Sequence, residues 1–509
     1  MGRDRVSAMP DFQTIAEGFA TALNGWNLLY CLIGVTIGML IGVLPGLGPT
    51  TGVAVLLPIT FGMEPVSAII MLCGIYYGAM YGGTITSVLI NTPGEAASVI
   101  TCLDGSPLAK QGRAGAALGV AAIGSFVGGT LSIVGLIFVG PPLAQWALHF
   151  GPPEFFALMV LGLSTVIGLM GKSVIRGLIS AFLGLNLAMV GIDPMSGTLR
   201  YTMDSPFLMN GIDFVIVAMG LFGLSEILLG MENMASAGKP PKLQKMLPRK
   251  EEWGPNMQAI GRGTVLGFLI GLIPGTNSVI PALLSYSLEK KMAKDPSRFG
   301  RGALEGVAGP ETANNSYCGG ALIPLFTLGI PSSPTIAIIL GAFMMHGLTP
   351  GPTLFDHNPV FVWGVIASMF VGNLLLLIMN LPLAGWWARI AMIPPKLLYP
   401  TILIISVVGA YTANNSLFDV GVMIAFGILG YLMKKTDIPM APIVLTFVLG
   451  KMMESSLLQS LKLLDGSFLG LFARPISGTI LVFAIAIMLA GIVSGFRKKR
   501  TGLAADVEM

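Results

Sequence analysis

The sequence predicts an all-α polytopic membrane protein, with 10 to 12 transmembrane helices in two inverted structural repeats whose helices are broken or re-entrant. Three observations predict it. Hydrophobic residues fill 54% of the 509 positions and charged residues only 11%, with a mean hydropathy of +0.80, whereas soluble domains carry roughly 25% charged residues. The 67 glycines and 34 prolines fall inside apolar segments rather than in a polar low-complexity tract, so they break helices at membrane depth. Two kinds of break then recur in the same order in both halves, at a near-constant offset of about half the chain, which marks an internal repeat.

Residues 1–25 read as an N-terminal interfacial segment. Asp11 can cap a short helix with Phe12, Ile15, Phe19 and Leu23 on one face; the same residues also fit the polar start of a longer first span. Met1–Pro10 is polar and leads into no short apolar core with a cleavage site, so no signal peptide is expected.

The first membrane repeat covers 26–230. Trp26–Leu44 matches the bilayer core, which needs about 20 apolar residues. It runs into Gly42-Val-Leu-Pro-Gly-Leu-Gly-Pro-Thr-Thr-Gly52, where two prolines and four glycines forbid regular helix. After Phe61, a second apolar segment from Val66 leads into Tyr81-Gly-Gly-Thr-Ile-Thr-Ser-Val-Leu-Ile-Asn-Thr-Pro-Gly-Glu95. Pro93 lacks an amide donor and Gly94 has no helix preference. Bare amides and carbonyls at that depth survive only where protein or a polar cavity meets them. Asp104–Arg113 reads as a polar loop. Apolar runs follow at Ala114–Val139, Phe155–Met170, Val174–Ile192 and Ile212–Leu229, with Lys172 and Arg176 in a cytoplasmic turn.

A basic linker at 231–260 holds Lys239, Lys242, Lys245, Arg249 and Lys250. The second membrane repeat, 261–496, renews the plan. Ile270-Gly-Leu-Ile-Pro-Gly275 echoes Ile41-Gly-Val-Leu-Pro-Gly46, and Tyr317–Pro334 echoes the 81–95 stretch. Spans follow near Val360–Leu381, Leu397–Ala410, Val420–Leu432, Ile443–Lys451 and Ile476–Phe496, before a tail at 497–509 with Arg497-Lys-Lys-Arg500. A further echo, Thr312–Ser316 and Thr412–Ser416, does not fit the offset and reads as accidental.

Charge relates the repeats. In the first half the join between the two breaks, Gly62-Met-Glu-Pro65, has no basic residue, and the loop after them carries Lys110 and Arg113. In the second half the join carries Lys290, Lys291, Lys294, Arg298 and Arg301, and the loop after, His346–Asn358, has none. Basic loops face the cytoplasm, so equivalent loops face opposite sides. That is the signature of inversion, with the linker and the tail cytoplasmic.

The net charge of +4 therefore reports orientation in the lipid bilayer, not nucleic-acid binding. Cys31, Cys73, Cys102 and Cys318 lie in or beside apolar runs without metal-ligand spacing and read as small buried hydrophobes. His149, His346 and His357 show no metal spacing either. No nucleophile elbow, phosphate loop or paired-carboxylate arrangement points to an enzyme, and no cofactor is expected.

Four broken stretches, 42–60, 74–103, 264–285 and 319–343, hold hydroxyls, Asn and glycine, with Glu95 their one charged residue and no Lys or Arg. A bound anion would then be met by half-helix N-termini, each worth about +0.5 charge, while orphan carbonyls suit sodium. On this reading Asn91, Thr92, Pro93, Gly94 and Ser98 face a substrate from one side, and Gly329, Pro331, Ser332, Ser333 and Thr335 from the other. Gly46, Thr50, Thr51, Gly83, Thr276, Asn277, Ser278 and Gly320 complete the cavity or hold a coupling cation, and no metal beyond sodium is expected. The same small residues also permit close helix packing. Glu95 fits either a proton or cation site or a place at the interface. Asp104, Glu305 and Glu311 read as loop residues, with a gate as their alternative role.

These residues carry a resemblance. Gly42–Thr50, Tyr76-Tyr-Gly-Ala-Met-Tyr-Gly-Gly83, Asn91-Thr-Pro-Gly-Glu95 and Asp104–Gly115 resemble the large membrane subunit of tripartite tricarboxylate transporters. So do Pro274-Gly-Thr276, Thr327-Leu-Gly-Ile-Pro331 and His346-Gly-Leu-Thr-Pro-Gly-Pro352, in the right order over nearly the whole chain. Ser332 departs from it, standing where glycine is expected after the proline. The resemblance implies a multi-pass protein of the bacterial inner membrane that imports a di- or tricarboxylate such as citrate, driven by a sodium or proton gradient. It also implies two partners: a small four-span membrane subunit and a periplasmic solute-binding protein. Two alternatives are a solitary secondary carrier for another small organic anion and a channel, which would need a continuous lined pore.

Overall fold

Apolar chain inside a bilayer must bond its own backbone, and helices are the local way to do so. The computed structural model describes residues 12–44, 46–170, 174–193, 197–232, 246–390 and 395–505. The first half runs α1 (Phe12–Ala22), α2 (Gly25–Val43), α3 (Gly48–Leu56), α4 (Pro65–Ile90), α5 (Val99–Lys110), α6 (Ala114–Ala147), α7 (Pro152–Met170) and α8 (Val174–Ala188). A two-residue ribbon, β1 (Gly191–Ile192) with β2 (Leu199–Arg200), precedes α9 (Phe214–Ala218), a π-helical turn at Met219–Leu224, and α10 (Ser225–Glu232). The second half runs α11 (Trp253–Gly271), α12 (Val279–Met292), α13 (Glu305–Leu328), α14 (Pro334–Met345), the short α15 (Leu354–His357), α16 (Pro359–Asn380), α17 (Ala384–Ile390) and α18 (Pro395–Asn414). It closes with α19 (Leu417–Lys435), α20 (Ala441–Leu463), α21 (Phe468–Ala473) and α22 (Pro475–Ala505).

Among the described residues, seven helices are long and apolar enough to cross a membrane: Gly25–Val43, Pro65–Ile90, Ala114–Ala147, Phe214–Glu232, Pro359–Asn380, Leu417–Lys435 and Ala441–Leu463. Four shorter apolar helices accompany them, Gly48–Thr60, Ile175–Ala188, Pro334–Met345 and Pro475–Ala490. The chain is an all-α polytopic membrane protein.

Helices α4 and α13 form the centre, and both are buried along almost their whole length. Glycine sets how closely others approach them. On α2, Gly34, Gly38 and Gly42 face the main chain of Met71, Ile75 and Ala79, and on α4, Gly74, Gly78 and Gly82 return the contact. A Cβ at Gly78 or Gly82 would sit 2.8 Å from the amide nitrogen of Met39 or Val43. The second half repeats this, with Gly263, Gly267 and Gly271 of α11 against Gly309, Ala313 and Tyr317 of α13. Small residues three and four apart let helix backbones touch in a medium that offers no hydrophobic drive. The halves interlock: α6 packs along α13, and α16 packs along α4.

Several sequence expectations are corrected. Asp104–Lys110 is not a loop but the body of α5. Asp104 is fully buried because its Oδ1 accepts backbone N–H bonds from Gly300, Gly302 and Ala303 at 2.9, 2.7 and 2.8 Å. Three amide donors on one oxygen offset the cost of burying the charge, while Oδ2 is buried without a hydrogen-bond partner among the described residues. Glu311 is likewise buried within α13, and Glu305 opens that helix and pairs with Arg298 at 2.9 Å. At the N-terminus, α1 is separate from the first span, since Asn24 accepts from the Trp26 amide and starts α2. The apolar run from Ala114 continues as helix through Pro141 and Pro142 to Ala147. Cys31, Cys73 and Cys318 are buried, Cys102 is partly exposed, and all four are free. Asp11, Lys172, Lys239, Lys242 and Lys245 lie outside the described residues.

Candidate functional site

Four helices stop at the sequence-marked breaks, and two of them stop in the same way. Helix α4 ends on Asn91 at φ 53°, and the Thr92 amide bonds back to the Thr86 carbonyl at 3.2 Å. Helix α13 ends on Gly329 at φ 68°, and the Ile330 amide bonds back to the Pro324 carbonyl at 3.2 Å. Both are left-handed caps with a six-residue return bond, which satisfy the last carbonyls and turn the chain out of the helix axis. After α2 and α11, Gly46 (φ 87°) and Gly275 (φ 82°) turn the chain at matching Pro-Gly pairs.

The chain then restarts. Pro49 and Pro334 occupy the first turns of α3 and α14, where a missing N–H costs nothing. Ser333 caps α14 by accepting from the Ile336 amide at 3.3 Å. Asn277 Oδ1 accepts from the Val279 and Ile280 amides at 3.1 and 3.3 Å and caps α12. Helices α3 and α5 start without a side-chain cap bond.

All four restarts open onto one cavity of about 580 Å³. Its wall carries Gly48–Thr51 of α3, Pro93–Ala96 and Val99 at α5, Asn277–Val279 at α12, and Ser333–Thr335 at α14. Tyr76 and Met80 of α4 and Tyr317 of α13 add the floor, and Phe222, Glu226, Lys434 and Pro439–Ala441 close the remaining side. Helix N-termini present positive dipole ends, and at α3 and α5 first-turn N–H groups without a side-chain cap, so this cavity suits an anion. The Tyr76 hydroxyl is buried at the wall without a hydrogen-bond partner among the described residues. Across the cavity, the hydroxyls of Thr50 and Thr335 meet at 2.7 Å and tie the starts of α3 and α14. Thr51 donates at 3.1 Å to the carbonyl of Phe222, which sits in the π turn; such turns free backbone groups and concentrate at functional sites.

Of the residues singled out from sequence, Gly46, Thr50, Thr51, Pro93, Gly94, Glu95, Asn277, Ser278, Ser333 and Thr335 line this cavity. The structure does not bring Asn91, Thr92, Ser98, Gly83, Gly329, Pro331, Ser332, Thr276 or Gly320 to its wall. Most of these shape the breaks. Asn91 and Gly329 end the helices; Ser98 donates to the Glu95 carbonyl at 2.8 Å and Ser332 to the Ala321 carbonyl at 2.8 Å. Thr276 donates to the Ile273 carbonyl at 2.9 Å, and Gly83 and Gly320 leave room for Glu95 and for the Phe268 carbonyl.

Glu95 is buried and borders the cavity. Its Oε1 accepts from Asn314 Nδ2 at 2.9 Å and its Oε2 from the Ala97 amide at 3.1 Å. One turn before Asn314 on α13, Glu311 accepts from Thr84 at 2.6 Å and from Thr101. Sequence reasoning missed Asn314, within the motif dismissed as accidental, and the roles of Glu311, Tyr76 and Tyr317. It also missed the ion pair Glu226–Lys434. Lys434 puts a basic side chain on a cavity whose four broken stretches contain none. Among the described residues, no three His, Cys, Asp or Glu side chains come together as a metal site.

The model of the tripartite tricarboxylate transporter TctA family matches residues 28–445. An uncharacterized 52.8 kDa protein in the TAR-I ttuC' 3'region of Agrobacterium vitis is 44% identical over 487 residues, covering 96% of this chain and 97% of its own. A second uncharacterized protein, in the TAR-II ttuC' 3'region of the same organism, is 43% identical over 234 residues, 46% of this chain and 97% of its own. No solved structure matches.

Proposed function

Since this chain belongs to the tripartite tricarboxylate transporter TctA family, we propose that it is the membrane subunit that carries a di- or tricarboxylate such as citrate across the bacterial inner membrane. A sodium or proton gradient drives the import. A periplasmic binding protein delivers the carboxylate, and a small four-span subunit completes the membrane part.

One observation carries this reading: four half-helices begin at a single cavity between the two halves of the chain. Broken helices at a repeat interface are how secondary transporters meet substrate and coupling ion. An anion held by backbone amides needs no buried arginine, and the hydroxyls beside it suit sodium.

The directions of the half-helices support two inverted repeats, 26–230 and 261–496, with 10 to 12 crossings in all. Helices α5 and α12 leave the cavity and converge, where the Gln111 side chain donates to the Arg301 carbonyl at 2.8 Å. Their ends carry Lys110, Lys290 and Lys291, which positive-inside bias places in the cytoplasm. Helices α3 and α14, tied at Thr50 and Thr335, lead to joins without Lys or Arg. Equivalent half-helices thus point to opposite sides. Substrate contact falls to Thr50, Thr51, Gly94, Ser333 and Thr335, and coupling to Glu95, Asn277, Ser278 and neighbouring carbonyls.

Uptake of labelled citrate, tricarballylate, succinate and malate into proteoliposomes holding the complete transporter tests it. Thr50→Val and Ser333→Ala should each cut uptake at least several-fold. Wild-type uptake by both variants would remove the cavity from the transport path.

A further inference from the structure

The Glu226–Lys434 pair lies at the cavity and is unused by the reading above. Glu226 comes from α10, directly after the π turn, and Lys434 from the last turn of α19. Both line the cavity, and their side chains keep 17% and 33% of their surface exposed. An ion pair packed into a protein wall would be more deeply covered; this one faces open volume. Glu226 also stands next to Gly46, the turn that feeds the first turn of α3. Among the described residues Lys434 is the one side-chain cation on this wall, and a carboxylate entering among the helix N-termini meets it with Glu226 already in place.

We propose that Lys434 is a substrate-binding cation and that Glu226 is its stand-in partner when the cavity is empty. This rests on the carboxylate reading of the same site. An incoming carboxylate takes Glu226's place on the ammonium group, so Lys434 has an anionic partner in both states. Without Glu226 the empty cavity would hold an unpaired, partly buried cation, which is costly. With it, the bound anion competes against an internal carboxylate, which sets affinity and favours ligands with more than one carboxylate: one to displace Glu226, others for the helix N-termini. The swap also unties α10 from α19 at the cavity, while Glu232–Lys435, paired at 2.6 Å further out on the same two helices, stays in place.

The test is equilibrium binding of labelled citrate, tricarballylate, succinate and malate to the full chain in lipid nanodiscs. Lys434→Met should weaken citrate binding roughly ten- to a hundredfold, the worth of one charge-assisted contact. Glu226→Gln should tighten it, because the competitor is gone, and Lys434→Arg should retain most of it. Glu232→Gln with Lys435→Met should bind as wild type. A purely structural pair would make Lys434→Met and Glu226→Gln fail alike, and that result overturns the proposal, as does wild-type affinity in Lys434→Met. Should Lys434→Met not fold, the Glu226→Gln/Lys434→Met double variant removes both charges together, and wild-type affinity there is equally fatal. If wild type binds none of the four acids, the carboxylate reading falls and this inference falls with it; binding by wild type with no effect of Lys434 sinks the inference alone.

Discussion

Replacing Gly94 by alanine puts a methyl group where three backbone segments already meet. A Cβ at Gly94 would fall 2.7 Å from Cα of Gly83 and collide with the carbonyl oxygen of Gly42. Overpacking a core usually costs about 1–3 kcal/mol, with flexible side chains giving way. Here the obstacles are main chain, on α4 and at the end of α2, and neither can rotate aside. The cost therefore belongs at the top of that range, about 3 kcal/mol. Relief requires the 93–96 segment to move outward, which carries Glu95 away from Asn314, now 2.9 Å distant, and opens the start of α5. Purified Gly94→Ala should lose thermal stability, followed by tryptophan fluorescence, and should lose uptake in proteoliposomes. Gly254→Ala serves as the control, since a Cβ there meets nothing within 4 Å and alanine favours helix by about 0.5–1 kcal/mol. If Gly94→Ala matches wild type in both melting and uptake, the tight crossing of 42, 83 and 94 is not what shapes this break.

Three further outcomes follow from named contacts. Ser333→Ala removes the cap of α14 and should cost about 1 kcal/mol, read as lower melting, whereas Ser333→Asp should restore the cap yet impair anion uptake by placing a negative charge at the cavity. Thr84→Val combined with Thr101→Val deprives buried Glu311 of both hydroxyl donors; each loss should cost about 1–3 kcal/mol, and a melting curve like that of wild type would show that Glu311 finds other partners. Asp104→Ala frees the amides of Gly300, Gly302 and Ala303, so trypsin should cut at Arg298 and Arg301 several times faster than in wild type, with unchanged digestion counting against the loop anchor.

The breaks were legible because proline and glycine act locally. Pro93-Gly94, Pro331 and the Pro-Gly pairs at 45–46 and 274–275 set proline beside glycine or a left-handed cap, and α2, α4, α11 and α13 stop beside them, whereas proline alone does not stop α6 at Pro141 and Pro142. The cavity-facing hydroxyls were legible for the same reason, being the first residues after each break. What could not be read were partners chosen by folding. Asp104 looked like a loop residue because its three amide donors lie about two hundred positions away in sequence. Glu311 had the same appearance, its donors being on α4 and α5. Glu226 and Lys434 sit at the ends of ordinary apolar spans, and only the packing of α10 beside α19 turns them toward the cavity. Asn314 belonged to a motif set aside for its offset, and its value comes from Glu95.

The glycine seams between α2 and α4, and between α11 and α13, have a consequence for motion. Two rods touching main chain to main chain at three successive turns have no side chains to repack, so they cannot slide or roll past each other without being pried apart. Each pair must travel as one solid piece. Spacings such as Gly38 to Ile75, or Gly267 to Ala313, should hold constant through any working cycle, and displacement must concentrate where contact is a pair of hydroxyls, as between Thr50 and Thr335.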